Sequence, residues 1–191
     1  MMNLEAARDR LEKIIGKSNK LEVMLEVCSI LTELTERNGA YPIIVGGLAV
    51  EIYTRGDYTT SDIDLVFFER QLVDRCLTGL GFVKWGRHWF HEQLGVGVEI
   101  PGDFLEDADP DRVVKLRLEK GHVYVIGIED IVLDRLRACV HWKSLSDCEW
   151  GRRLLLLHRD KVDTAYLLEK ARSEGIDEVL SKWMEESGKS R

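Results

Sequence analysis

Two aspartates separated by one residue are the first candidates for chemistry in this sequence. Asp62 and Asp64 lie in the run 61–68, whose other residues are mostly apolar. Alternate side chains of a β-strand share a face, so both carboxylates project from one side, about 6–7 Å apart at their Cα atoms. Two desolvated carboxylates repel each other unless a cation compensates them. The spacing predicts a site for Mg²⁺ or Mn²⁺, which prefer oxygen ligands. Pairing of the aspartates with a cation such as Arg55 is the metal-free alternative.

A third carboxylate is expected from a later apolar run. Glu99 lies in the run 96–100, and alternation sets it on the face opposite Val98. If this strand pairs with the strand 61–68, Glu99 completes a three-acid metal cluster. Glu92 and Asp103 are the alternatives. We prefer Glu99 because it lies inside the apolar run, whereas Asp103 follows Pro101.

A glycine pair stands fifteen residues before the aspartates. Gly46 and Gly47 separate the β-branched run 41–45 from a helix predicted at 48–54. Backbone amides at the start of a helix can receive a phosphate, favoured by the helix dipole. The order strand, glycine turn, helix, polar loop and acidic strand therefore predicts a phosphate cradle beside a divalent-metal site.

The pattern of apolar residues predicts an α/β (α+β) fold with a mixed sheet flanked by helices. N-terminal helices (1–40) would pack on an α/β core (41–127), followed by a C-terminal helical part (128–191). Apolar spacing predicts helices at 3–17 and 20–37. A further helix should follow the strand 61–68 and end at about residue 80. Five short β-like runs should form a hairpin meander that continues the sheet: 82–85, 88–93, 96–100, 113–118 and 122–126. A helical bundle should follow at 129–143, 147–158, 160–172 and 175–186.

Composition limits the possible functions. The 191 residues include 27 Lys and Arg against 34 Asp and Glu, a net charge of −7. This balance argues against broad neutralisation of nucleic-acid phosphates, which needs clustered cations. No apolar run approaches the roughly 20 residues that cross a bilayer, and the N-terminal pattern is that of an amphipathic helix. We therefore expect a cytoplasmic protein without a membrane partner.

Cysteine and aromatic residues have ordinary structural interpretations. The four cysteines, at 28, 76, 139 and 148, show no zinc-binding spacing and are expected to be buried free thiols. The aromatic cluster at 85–91 is typical of core strands, with a wall facing a base or substrate as the alternative. Its members are Trp85, His88, Trp89, Phe90 and His91.

Several of these motifs together resemble a known family. The segment 46–49, then Tyr53 and Arg55, then the segment 60–65, is similar to the core of the nucleotidyltransferase superfamily with the DNA polymerase β fold. The resemblance covers about residues 41–166, and within the superfamily it is strongest to the small prokaryotic members of the AbiEii-toxin-like kind and to related uncharacterised nucleotidyltransferases. The segment 125–138 resembles that branch's Glu-Asp-Leu element and basic helix, and Asp163 and Tyr166 fall where its later helix is expected. One departure is Gly47, since the commoner signature has Ser there.

The resemblance implies metal-dependent transfer of a nucleoside monophosphate from a nucleoside triphosphate such as ATP. Asp62 and Asp64 would bridge two Mg²⁺ or Mn²⁺ ions, with Glu99 on the second ion. The acceptor would be a short RNA end, a protein side chain or a small hydroxyl compound, and an antitoxin protein is an implied partner. A catalytically silent nucleotide-binding or partner-binding module on the same fold is the alternative. Candidate nucleotide contacts are Gly46, Gly47, Arg55, Ser61, Arg135, Arg137 and Lys143.

Overall fold

A mixed sheet of seven strands forms the centre of the first part of the protein. The computed structural model describes residues 3–189, so residues 1, 2, 190 and 191 of the predicted terminal parts lie outside the described residues. The chain divides into two compact units, one ending at Ile126 and the other beginning at Gly127. The predicted three-part division at residues 40 and 127 stays a prediction.

Two helices open the first unit, and asparagines begin both of them. In α1 (Leu4–Glu12) the side chain of Asn3 accepts a hydrogen bond from the amide of Ala6, and in α2 (Lys20–Thr35) Asn19 does the same for Glu22. Such caps satisfy amides that have no partner within the helix. The buried face of α2 includes Met24, Val27, Ile30 and Leu31, which explains its apolar spacing. Two further helices follow along the chain, α3 (Gly46–Tyr53) and α4 (Arg70–Gly79).

The strand order differs from the predicted hairpin meander. The strands are β1 (Ile43–Val45), β2 (Asp62–Val66), β3 (Val83–Trp85), β4 (His88–His91), β5 (Val96–Gly102), β6 (Val114–Arg117) and β7 (His122–Val125). Their order across the sheet is β3-β4-β5-β2-β1-β7-β6. The prediction of one continuous meander was wrong, because β5 pairs in parallel with β2 and β7 pairs in parallel with β1. The strands β3 to β5 therefore extend one side of the sheet, and β6 and β7 extend the other.

Alternation along β2 separates the core from the acidic face. Ile63 and Leu65 are fully buried, whereas Asp62 is exposed and Asp64 is half-buried. The apolar side chains of a strand point together to one face because its side-chain period is two. The prediction that the two aspartates share a face of the sheet is confirmed by this burial pattern.

The second unit consists of four helices over its described residues. These are α5 (Ile128–His141), α6 (Leu145–His158), α7 (Thr164–Ser173) and α8 (Asp177–Lys189). Two buried acids at the start of α5 are satisfied by the start of α7: Glu129 accepts from the Asp163 amide at 2.8 Å, and Asp130 accepts from the Tyr166 hydroxyl at 2.7 Å. Buried carboxylates are tolerated only with such partners.

A disulfide joins α5 to α6 and corrects the prediction of four free thiols. Cys139 and Cys148 are bonded to each other, while Cys28 and Cys76 are free. Nine positions of sequence separate the bonded pair, and the short turn between the two helices brings the residues together. Burial raises the pKa of the Cys28 and Cys76 thiols, which fits their expected inert role. Across residues 3–189 no helix is both long enough and apolar enough to span a membrane.

Candidate active site

Three acidic side chains lie on one face of the sheet, on two neighbouring strands. The parallel register of β2 and β5 sets Asp62 beside Gly97 and Asp64 beside Glu99. Paired positions on neighbouring strands are about 4.8 Å apart and share a face. The strand pairing on which the choice of Glu99 depended is therefore present. Glu92 and Asp103 are exposed and lie outside the strands.

A glycine lies beside each aspartate, where an added side chain would crowd the carboxylate in its present position. A Cβ atom at Gly97 would come within 2.5 Å of Asp62 Oδ1. A Cβ atom at Gly46 would overlap Asp64 Oδ2 and come within 3.0 Å of Asp64 Cβ. Gly46 also has a φ of +56°, a left-handed conformation that favours glycine. Sequence reasoning identified Gly46 but missed Gly97, because nothing along the chain marks it as the neighbour of Asp62.

The second glycine lies in the first turn of α3, which begins at Gly46 and not at the predicted residue 48, and its amide contacts an aspartate directly. The Gly47 amide donates a hydrogen bond to Asp64 Oδ2 at 3.3 Å. A Cβ atom at this position would meet Thr60 Oγ1 at 3.1 Å. A side chain at position 47 would therefore require a small shift of the Thr60 side chain.

A buried glutamate holds the loop that leads to β2. Glu51 on α3 is 3% exposed, and its Oε2 accepts from the Thr60 amide at 3.0 Å. Thr60 Oγ1 in turn lies 3.4 Å from the Asp62 amide. Glu51 thus connects α3 to the start of the acidic strand. Sequence reasoning did not single it out, since one glutamate on a short helix carries no distinguishing signal.

Two of the predicted nucleotide contacts, Ser61 and Arg55, are exposed. The Ser61 hydroxyl donates to Asp62 Oδ2 at 3.1 Å, so it contacts the acid directly. Arg55 lies just beyond the end of α3, with a φ of +55°. The proposed contacts of Ser61 and Arg55 with a nucleotide stay predictions.

The third carboxylate pairs with Arg87 and lies near the imidazole ring of His88. Arg87 Nε lies 2.8 Å from Glu99 Oε1, and His88 Nδ1 lies 3.5 Å from Glu99 Oε2. The Arg87 side chain is 67% exposed, whereas the Glu99 side chain is 22% exposed. Within residues 3–189, no three His, Cys, Asp or Glu side chains are grouped closely enough to hold a metal ion. The three-acid metal cluster therefore stays a prediction.

Two of the three predicted cations of the second unit, Arg135 and Arg137, have partners within that unit. Arg135 bonds to Asp134 at 2.5 Å and to Asp147 at 2.7 Å. Arg137 forms two 2.7 Å hydrogen bonds to Glu174, and this interaction lowers the pKa of the Glu174 carboxyl. Lys143 is exposed, with a φ of +53°, just after the end of α5. Contact of these three side chains with a nucleotide stays a prediction.

Comparison with solved structures gives the fold a precedent. The chain is similar to an antigenic nucleotidyltransferase-like protein from Paracoccidioides brasiliensis, with a TM-score of 0.64 and 16% identity over 88% of this chain and 89% of that one. The protein has a nucleotidyltransferase-like fold. The antibiotic-resistance factor ANT(2'')-Ia is also similar, with a TM-score of 0.49 and 14% identity over 80% of this chain and 88% of that one. No family model matches the chain, and no curated protein matches it. The AbiEii-toxin-like branch stays a prediction.

In this nucleotidyltransferase-like fold the acids lie where a ligand can reach them. Asp62 and Asp64 offer carboxylate oxygens on an accessible face, and Gly46 and Gly97 keep side chains away from them. Carboxylates of this kind suit a hard divalent cation or accept a proton from a hydroxyl. The arrangement is compatible with both uses.

Proposed function

We propose that the protein transfers a nucleoside monophosphate from a nucleoside triphosphate to an acceptor hydroxyl. The observation that carries the proposal is the joint arrangement of Asp62, Asp64 and Glu99 on one sheet face, with a glycine turn beside it. The nucleotidyltransferase-like fold supports it, although a fold alone does not define an activity.

The proposed reaction is a displacement at the α-phosphorus. The acceptor oxygen forms a bond to that phosphorus, the bond from phosphorus to the bridging β-oxygen breaks, and pyrophosphate leaves with the bonding electrons. The acceptor proton passes to Glu99 or Asp64 as general base. In this proposal Asp62 and Asp64 orient the reacting groups, and Gly47 keeps side-chain bulk away from the triphosphate.

In this proposal Asp62 and Asp64 would hold a divalent cation whose remaining oxygen ligands come from the substrate phosphates, because residues 3–189 group no three possible protein ligands together. Asp62 and Asp64 supply oxygen ligands on an accessible face, and Glu99 is the neighbouring acid on β5. Mg²⁺ or Mn²⁺ held there would supply charge neutralisation for the triphosphate and the leaving pyrophosphate. Among the predicted nucleotide contacts, Arg55 and Ser61 are the two that lie nearest to Asp62 in sequence. Arg135, Arg137 and Lys143 remain proposed contacts that rest on the resemblance, as does an antitoxin partner.

The test separates nucleotide binding from metal binding. Wild type and the double variant Asp62→Asn/Asp64→Asn are titrated with Mn²⁺, and then with ATP, CTP, GTP and UTP in the presence of Mg²⁺, by calorimetry. We expect the double variant to lose Mn²⁺ binding and metal-dependent nucleotide binding. Asp160→Asn is the matched control, because the Asp160 side chain is 91% exposed on the second unit. Metal-dependent binding that survives in the double variant would contradict the proposal.

Transfer itself is then measured with nucleotides labelled on the α-phosphate. Incubation with RNA, with protein and with small hydroxyl compounds should give one labelled acceptor class with wild type and none with the double variant. Mass spectrometry of the product should show the added mass of one nucleoside monophosphate. Pyrophosphate should appear in equal amount.

A catalytically silent nucleotide-binding module is the second candidate. The observation that favours it is the engagement of Glu99 by Arg87 and His88, which occupies the third acid. This candidate predicts metal-dependent nucleotide binding without release of pyrophosphate. The labelled transfer assay distinguishes the two candidates.

A further inference from the structure

The loop of residues 54–61 joins α3 to the acidic strand and contains two of the predicted nucleotide contacts. Arg55 lies near the start of this loop, and Ser61 is its last residue, directly before Asp62. Arg55 and Gly56 have φ values of +55° and +89°, the left-handed conformation that commonly ends a helix. The position of Asp62 therefore depends on how the rest of the loop is held.

One residue of α3 holds the loop at two points. The Glu51 backbone carbonyl accepts from the Gly56 amide at 2.9 Å, and Glu51 Oε2 accepts from the Thr60 amide at 3.0 Å. The first bond closes the end of the helix, and any residue at position 51 could make it. The second bond needs a side chain that carries an acceptor at the right reach. The identity of residue 51 therefore matters at Thr60, at the end of the loop next to the acids.

Burial gives the bond to Thr60 its importance. Glu51 is 3% exposed, and among the described residues its carboxylate accepts from the Thr60 amide and forms no ion pair with a cation. Burial of a charged group is costly, whereas an apolar residue could fill the same place on α3 without that cost. A hydrogen bond to a charged acceptor is stronger than one to a neutral acceptor. The bond to the loop therefore accounts for a glutamate at this buried position, and packing alone does not.

Thr60 connects this bond to both aspartates. Thr60 Oγ1 accepts from the Asp62 amide at 3.4 Å, and the next residue, Ser61, donates to Asp62 Oδ2 at 3.1 Å. The same Thr60 oxygen lies 3.1 Å from the place of a Cβ atom at Gly47, whose amide donates to Asp64. Thr60 thus lies between the glycine pair and the start of β2. A shift of Thr60 would reach the surroundings of both acids.

We propose that Glu51 is a positioning residue, whose carboxylate holds the Thr60 amide and thereby keeps the loop and Asp62 in the arrangement used for nucleotide transfer. This inference rests on the proposed function, since it assigns a residue to that reaction. Residues that orient metal-ligating carboxylates from behind typically change metal affinity or activity by about 10- to 100-fold when they are removed. Glu51 itself touches no reacting group in this proposal.

Amide hydrogen exchange of the metal-free protein tests the contact directly. Glu51→Met keeps the length and approximate volume of the side chain but removes the acceptor, so it should fold without a cavity. The Thr60 amide should then exchange roughly 10- to 150-fold faster, which corresponds to the loss of about 1.5–3 kcal/mol for a bond to a charged group. Glu51→Gln keeps a carbonyl oxygen at the same reach, and its Thr60 amide should exchange only about fivefold faster than wild type.

The Gly56 amide is the internal reference of this measurement. Its partner is the backbone carbonyl of residue 51, which every variant keeps. Its exchange should therefore change by less than about threefold in Glu51→Met and in Glu51→Gln. Equal acceleration at Gly56 and Thr60 would assign Glu51 to the general stability of α3 and overturn the inference.

Mn²⁺ titration and the labelled transfer assay show whether the held loop matters to the acids. Glu51→Met should weaken Mn²⁺ binding and slow transfer by about 10- to 100-fold, and Glu51→Gln should restore both to within about threefold of wild type. The matched control is Glu129→Met, which replaces another buried glutamate that accepts from a backbone amide, that of Asp163 at 2.8 Å in the second unit. It should leave Mn²⁺ binding and Thr60 exchange unchanged.

The outcomes separate this inference from the proposed function. Equal Thr60 exchange in wild type and Glu51→Met overturns the inference, and so does faster exchange with unchanged Mn²⁺ binding and transfer. Loss of Mn²⁺ binding in Glu51→Gln as complete as in Glu51→Met also contradicts it, because the hydrogen bond would then not be what matters. If wild type transfers no nucleotide, the proposed function is overturned, while exchange and Mn²⁺ affinity still decide whether Glu51 holds Asp62 in place.

Discussion

A single added methyl group on β5 should disturb one aspartate while leaving the fold intact. In Gly97→Ala the new Cβ would lie 2.5 Å from Asp62 Oδ1, so this oxygen must retreat by about 0.9 Å to reach the 3.4 Å of an ordinary contact. The Asp62 carboxylate is at the end of an exposed side chain and can rotate away. The backbone of β5 should keep its position, because the atoms nearest to the new Cβ all belong to the Asp62 side chain.

Gly97→Ala should change the stability of the fold only slightly but reduce nucleotide transfer strongly. Alanine within a strand is about 0.5–1 kcal/mol more stable than glycine, and a strained rotamer at Asp62 costs about 0.5–1.5 kcal/mol. The free energy of unfolding should therefore change by less than about 1 kcal/mol. A displacement of about 1 Å at a reacting group can cost roughly 100-fold in rate. Nucleotide transfer should fall by about that factor, and Mn²⁺ should bind more weakly.

Urea denaturation, Mn²⁺ titration and the labelled transfer assay measure these effects. Gly102→Ala is the matched control on the same strand, because a Cβ there meets only the Phe104 carbonyl oxygen at 3.4 Å. It should keep wild-type transfer and metal binding. Gly97→Ala with unchanged transfer and metal affinity, in an enzyme that Asp62→Ala inactivates, would refute the reasoning that Gly97 makes room for a working carboxylate.

Three further substitutions or treatments have defined outcomes. Arg87→Ala removes the 2.8 Å ion pair to Glu99 and should tighten Mn²⁺ binding in calorimetry; unchanged affinity would exclude this acid from the metal site. Hydrogen bonds from Arg137 hold the pKa of Glu174 below its ordinary value, so this carboxyl stabilises the fold above that value and loses the contribution as pH falls through its lowered pKa. Urea denaturation of Glu174→Gln should accordingly show a flatter decline in stability below about pH 4.5 than wild type. Reduction of the Cys139–Cys148 disulfide, nine positions apart in sequence, should lower the free energy of unfolding by about 2–3 kcal/mol in urea denaturation, and a double Ser variant should no longer respond to reductant.

Local periodicity was sufficient to predict the elements that carry the candidate site. The alternation of Asp62, Ile63 and Asp64 fixes which side chains face the core, and the structure buries Ile63 while leaving the aspartates accessible. The glycine pair correctly marked the boundary between β1 and α3. These features depend on neighbours in sequence, so sequence patterns contain them.

Long-range pairing is where the sequence was insufficient. Short apolar runs predict strands but do not specify their partners, so the meander was extended across all five runs. In the structure β5 pairs in parallel with β2, and β7 pairs in parallel with β1. The five runs are therefore divided, with β3 to β5 on one side of the sheet and β6 and β7 on the other. The disulfide was missed for a related reason: Cys139 and Cys148 lie on different helices, and only the turn between them brings the sulfurs together.

The role of glycine shows how the two kinds of information combine. An Asp-x-Asp strand is common, and by itself it gives no reason to expect space around the carboxylates. Here Gly46 stands beside Asp64 and Gly97 beside Asp62, each where a methyl group would collide with a carboxylate oxygen. The two positions differ in what a methyl group would cost. Asp62 is exposed and can rotate away from position 97, whereas Asp64 is half-buried and Gly46 has a positive φ, so a side chain at position 46 is opposed by both the contact and the backbone.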